Sequence, residues 1–215
     1  MTDPSAIADF MDGEVCCRLL RGDDLGTVAG VSEVLLAALT SMELRGRSVL
    51  DIGCGAGGLA VQLLGQGVDH VTGLDLSPQA IAAAGRLSAD RGFADRTTFR
   101  VGDAAETALP SADVVVLDKV YCCYFDPTRL LANSLGATGE VYAIVLPASI
   151  GPRGLASRVL LRVENLWHLV RRRRFRAYVH DVPRLDAAIR RAGFGPATVR
   201  HHRYWELRIY ERTSA

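Results

Sequence analysis

Residues 49–60, VLDIGCGAGGLA, decide how the rest of the chain is read. An apolar run with one embedded acid, Asp51, enters a glycine-dense turn. Gly58, Leu59 and Ala60 then open a stretch of helical spacing. Gly53 and Gly55 permit a tight turn and let a ligand approach the main chain, while Gly57 and Gly58 allow the following helix to pack closely. A turn with these properties between a strand and a helix is the usual context of a ligand-binding loop.

Working outward, SVLDI (48–52) is expected as the first strand, with a helix over 57–66 after the turn. HVTGLDL (70–76) is a second strand; Ser77 and Pro78 are an N-cap and first-turn pair opening a helix over 78–91. TTFRVG (97–102) and ADVVVLD (112–118) are strands three and four. The latter is almost wholly apolar, as a parallel strand covered on both faces should be. Asp126 and Pro127 open a helix, EVYAIVLP (140–147) is a fifth strand stopped by Pro, and Asp181 and Pro183 start a helix ending at Gly193. On the N-terminal side, a short helix is expected over 5–20 and an amphipathic one over 31–44. PATVRHHRYWELRIYER closes the sequence with two extended runs and no helix between them, which predicts a hairpin with one strand reversed. Strand–helix alternation elsewhere predicts an α/β fold with a doubly wound sheet and helices on both faces.

Composition sets the class. The 215 residues are 49% hydrophobic and 23% charged with a net charge of +1, as expected for one globular domain, and give no overall footprint for nucleic acid. No stretch approaches the ~20 apolar residues of a membrane span. The acidic N-terminus does not read as a signal peptide, and a cytoplasmic location is expected. Five cysteines, as Cys16–Cys17, Cys54 and Cys122–Cys123, make a poor disulfide framework and match no zinc spacing. No metal site is expected.

The glycine loop fits two patterns. Gly53, Gly55 and Gly58 satisfy the dinucleotide G-x-G-x-x-G, whereas Asp51, Gly53, Gly55 and Gly57 satisfy D-x-G-x-G-x-G. The second resembles the first motif of class I S-adenosylmethionine (SAM) dependent methyltransferases. Three further positions follow in order. Asp75, with Leu76 beside it, stands where that family binds both ribose hydroxyls, a task suited to a carboxylate. Asp103 and Ala104 follow the third strand, where the family contacts adenine; a capping box of Asp103 and Glu106 is the competing reading. Asp118 and Lys119 end the fourth strand on the cofactor-facing edge. The resemblance therefore implies SAM as cofactor, S-adenosylhomocysteine as product, and a Rossmann-like seven-stranded sheet with a reversed last strand. It adds Asp51, Gly53, Cys54, Gly55 and Gly57 to the cofactor site.

LDKVYCCYFD (117–126) holds the single lysine of the chain and follows the fourth strand, outside which ligands bind in open α/β sheets. Tyr121 and Tyr124 offer aromatic faces to a sulfonium, with core packing as the alternative. The stretch D-x-V-x-C-C-Y, with F-R-x-Y-x-H (175–180) and Trp205–Glu206, resembles the branch related to magnesium-protoporphyrin O-methyltransferases. Two departures stand out: Cys123 replaces the His that better-known members carry before the loop Tyr, and Cys54 replaces a further Gly. Residues 1–45 are expected to cap the acceptor site, 46–215 to form the SAM-binding domain, and 148–180 to be an inserted, largely helical lid. His180 in that lid is a candidate general base, and Arg171–Arg174 read as a solvated helix end. The expected function is methylation of a small-molecule acceptor, with oxygen as first choice. A homodimer is left open. The alternatives are a SAM-binding protein that transfers no methyl group, cyclase-like or regulatory, and an NAD(P)-dependent reductase.

Overall fold

The computed structural model describes residues 3–213. Among them seven strands form one sheet: β1 (Ser48–Ile52), β2 (His70–Asp75), β3 (Thr97–Val101), β4 (Ala112–Asp118), β5 (Thr138–Pro147), β6 (Thr198–His202) and β7 (Trp205–Glu211). Their order is β3-β2-β1-β4-β5-β7-β6. β1 to β5 run parallel, and β7 runs antiparallel to both β5 and β6. The expected reversed last strand is thus present, set by the hairpin turn at Arg203–Tyr204, where Arg203 takes a left-handed φ of 56°.

The α-helices among the described residues are α1 (Pro4–Arg21), α2 (Val31–Thr40), α3 (Gly58–Gly65), α4 (Pro78–Asp90), α5 (Thr128–Ala137), α6 (Gly151–Val170) and α7 (Val182–Arg191), with short 3-10 turns at Ala94–Arg96 and Tyr121–Cys123. Period-two alternation distributes β4 between two cores. Val115 and Leu117 join Leu130 of α5 and Val182, Leu185 and Ile189 of α7. Val114 and Val116 join Leu35 and Leu39 of α2 and Ala60 and Leu63 of α3. At α4 the cap is as expected: Ser77 Oγ accepts from the Ala80 amide at 2.8 Å, with Pro78 in the first turn.

One boundary differs from the sequence reading. Residue 45 does not separate a cap from a domain, because α2 is part of the sheet's own core and only α1 stands apart, packed on α4 and the inserted segment. The insertion is one helix followed by an extended run. Arg172 ends it with a left-handed φ of 55°. Asn165 then holds the extended run against α6: its Nδ2 donates to the Ala177 carbonyl at 2.7 Å and its Oδ1 accepts from the Ala177 amide at 2.8 Å.

Candidate active site

Strand order reverses between β1 and β4, where the connections leave toward opposite sides and open a crevice at the carboxyl edge. A cavity of about 700 Å³ occupies it. One half is the glycine loop with Asp51, Asp75, Leu76, Ala104 and Asp118. The other is roofed by Ile7, Phe10 and Met11 of α1, by Leu161 and Glu164 of α6, and by Phe175 of the extended run.

The loop conformation is imposed by glycine. Gly53 has φ 70°, and a Cβ there would lie 2.4 Å from Val120 Cγ2. Gly55 has φ 52° and open space where its Cβ would project. Asp75 fastens this loop: Oδ2 accepts from the Gly55 amide at 2.9 Å and Oδ1 from the Ser77 amide at 2.8 Å. Burial raises the Asp75 pKa, opposed by those amides. A carboxylate offers about four lone pairs, so each oxygen can accept again from a ligand.

Asp51 and Asp118 supply the strongest electrostatic feature. Asp51 Oδ2 and Asp118 Oδ1 are buried and have no hydrogen-bond partner in the protein. Burial, then the charges of Asp118 and Asp75, push the Asp51 carboxyl up to about 8. Asp118 Oδ2 is engaged, accepting from Ser32 Oγ at 2.5 Å, while Lys119 Nζ donates to Ser32 Oγ at 2.9 Å. Lys119 itself sits at φ 63°, a left-handed conformation uncommon for a residue with a side chain. Two bare carboxylate oxygens in a cavity are acceptors for a cationic ligand. SAM carries an ammonium and a sulfonium, so the residues present fit it.

The remaining expected residues divide. Leu76, Ala104, Cys54, Lys119 and Tyr124 line the cavity with Cys122 and Cys123. Burial pushes the Cys54 thiol up, and a hydrogen bond with Cys123, then burial, push Cys122 up, which leaves both as neutral wall. Gly57 lies behind the loop, where a Cβ would meet Ala84 Cβ at 3.0 Å. The Asp103 carboxylate is turned to the protein: Oδ1 accepts from Tyr124 Oη at 2.7 Å and the Ala105 amide at 2.9 Å. No helix starts there, which removes the capping box.

Tyr121 and His180 require correction as catalytic groups. Tyr121 is fully buried in the sheet core, its hydroxyl 2.6 Å from Tyr142 Oη, and burial holds its pKa well above the usual phenol value. His180 Nε2 lies 2.9 Å from the Tyr121 carbonyl and 3.0 Å from the Tyr124 carbonyl, and burial lowers its pKa. A neutral ring donating to both carbonyls holds the loop; it does not face the cavity. Tyr124 keeps its place in the cavity wall, but burial, then its bond to Asp103, keep it protonated. It contributes a ring face and a fixed hydroxyl, not a base.

Several lining residues had no sequence signal. Ser32 is an ordinary helix residue until Asp118 reaches it from 86 positions away. Tyr204 arrives from the terminal hairpin, and Glu164 from the middle of α6. Glu164, Cys122 and Tyr204 line the same cavity.

Residues 50–138 match the family model described as "Methyltransferase domain". That stretch contains the glycine loop, Asp75, Asp103, Asp118 and Tyr124. The chain carries a class I SAM-dependent methyltransferase domain. Over 115 residues it is 41% identical to the ribosomal protein L11 methyltransferase of Actinobacillus succinogenes, covering 53% of this chain and 36% of that protein. The corresponding protein of Photorhabdus laumondii is 35% identical over 135 residues, covering 63% and 41%. The methyltransferase domain thus spans about two fifths of the curated relatives it matches. Magnesium protoporphyrin IX methyltransferase from Synechocystis PCC 6803, solved with bound SAH, superimposes with a TM-score of 0.73 at 21% identity, covering 98% of this chain and 100% of that one. The DhpI–SAH complex gives 0.66 at 18%, covering 99% and 98%. At such identities these two establish the fold.

Proposed function

We propose that this methyltransferase domain methylates a small molecule bearing a hydroxyl, held between α1, α6 and the loop after β4. The observation that carries the reading is the roofed cavity: about 700 Å³ suits a cofactor with a modest acceptor. Side chains of α1 and α6 line the cavity and would contact a small acceptor directly. The L11 methyltransferase relatives match only part of their own length, so their named acceptor does not transfer with the cofactor motifs.

SAM, when bound, supplies an electrophilic methyl group on a sulfonium. The residues of this chain do the rest. Asp51 and Asp118 would seat the cationic end, Asp75 the ribose, and Leu76 and Ala104 the adenine. Phe10, Phe175 and Leu161 exclude water and orient the acceptor, which is the main catalytic contribution in such a displacement. Glu164 would take the proton the acceptor loses. That role also favours a hydroxyl over a carboxylate, which has no proton to give at neutral pH and would meet the charge of Glu164.

Methyl-labelled SAM incubated with the protein, a panel of hydroxylated and carboxylated small molecules, and ribosomal protein L11 tests this. Base-stable label in a hydroxylated compound is expected, with Glu164→Gln lowering kcat about 100-fold or more. Label in the ribosomal protein, or base-labile ester on a carboxylate, would sink it.

A further inference from the structure

The outer surface of α6 is apolar where a surface helix should be polar. Gly154, Ser157, Leu161 and His168 face inward and are buried. On the opposite side Leu155, Val159, Val163, Leu166 and Val170 form one line along the helix, each 49 to 74% exposed. Trp167 stands next to the line, also exposed. The helix buries one stripe against the protein and presents a second to solvent. An apolar face of this extent on a single helix marks a contact surface.

Charge identifies what covers it. Residues 151–176 hold eight arginines and one glutamate, a net of +7 within a chain of net +1. The near-neutral total conceals this separation. Arg158 and Arg162 flank the apolar line, and Arg171–Arg174 are exposed at its end. The guanidinium groups of Arg171 and Arg173 lie 4.7 and 5.0 Å from the Trp167 ring centroid. A second copy is a poor occupant. Pairing α6 with itself would set this net-positive segment against another of the same sign, and the single acid, Glu164, lines the cavity. An anionic lipid surface meets both requirements, taking the Leu/Val/Trp line into the acyl boundary and the arginines at the headgroups.

We propose that α6 docks this protein on an anionic bilayer, lying in the interface without crossing it. Among the described residues no helix is long and apolar enough to cross a membrane. The same helix lines the cavity from its inner face, so the docked surface lies one helix diameter from the acceptor site. The inference does not depend on which acceptor is methylated.

The test is cosedimentation of the full chain with phosphatidylcholine vesicles with and without about one third phosphatidylglycerol. Binding is expected only with the anionic lipid, with a blue shift of tryptophan emission that Trp167→Phe removes. About 0.5 M salt should release it. V163E/L166E should abolish binding, and R171Q/R172Q/R173Q should weaken it about 100-fold. Both variants alter exposed side chains, and an unchanged melting temperature verifies folding. Equal partitioning on neutral vesicles, or none on either, overturns the proposal. A dimer in sedimentation velocity that V163E/L166E dissociates also overturns it, assigning the stripe to a second copy.

Discussion

Asp51→Asn should stabilise the free protein while weakening its hold on SAM. Asp51 is buried, has a bare oxygen, and feels Asp118 and Asp75, which together raise its pKa from 3.8 to about 8. A carboxyl whose folded pKa exceeds its unfolded value favours folding below the unfolded value, and that contribution is lost as pH rises to the folded one. At about 1.36 kcal/mol per pH unit, the whole interval is worth on the order of 5 kcal/mol. Asn stands in for the protonated acid and never ionises. The variant's advantage should therefore be near zero at pH 4, grow through the interval, and level off above pH 8. For a chain of this size each kcal/mol moves Tm by roughly 2–4 °C, so thermal scans from pH 4 to 9 resolve it. Binding should go the other way. A lost hydrogen bond between a charged pair costs about 1.5–3 kcal/mol, or roughly 10- to 150-fold in Kd. In the wild type, seating a cation favours the carboxylate, so binding below pH 8 should release a proton. Calorimetry in buffers of different ionisation heat reads that proton directly. Unchanged Tm at pH 9 together with unchanged affinity would refute the assignment of Asp51 as a strained seat for positive charge.

Four further outcomes are expected. Gly53→Ala should destabilise by about 2 kcal/mol or more, since its Cβ would overlap Val120 at a left-handed φ. Gly55→Ala has open space and should cost only about 1 kcal/mol of stability yet lose SAM binding, as equilibrium dialysis would register. Tyr121→Phe removes a hydroxyl from the Tyr121–Tyr142–Ser134 chain and should lower Tm by a few degrees with kcat unchanged. His180→Gln bears on pH: the folded pKa lies below the usual value, so native stability falls as pH drops through that range. Subtracting the variant's pH–Tm curve from the wild type should isolate that slope, and acceptor KM should rise more than SAM Kd as the loop loosens.

The glycine-loop side of the cavity was legible because its pattern is local. Glycines and an acid at fixed spacing, read against strand period, bring Asp51, Gly53, Gly55 and Asp75 to one strand edge, where the cavity opens. Tyr121 and Tyr124 were not separable in this way. They are three apart around a 3-10 turn, which would eclipse them. Tyr124 instead leaves the turn with extended backbone, φ −96° and ψ 136°, and its side chain goes to the cavity while Tyr121 goes to the core. His180 looked like a base because a histidine near a loop reads the same whether it faces a ligand or two carbonyls. Ser32, Glu164 and Tyr204 belong to segments joined only by the tertiary fold. The outward apolar line of α6 was hidden by its periodicity, since a helix with stripes on two sides has little net amphipathicity to notice.

Lys119 has a practical consequence. It is the single lysine in 215 residues, and its ammonium sits at the junction of β4, α2 and the cavity, about 40% exposed. Apart from the α-amino group, the protein has one primary amine, and it is located at the cavity. Reductive methylation with isotopic formaldehyde would give one side-chain resonance per molecule, and an amine-reactive reagent would have one internal target. Ligand occupancy could then be followed by chemical shift or by protection from labelling, without any substitution.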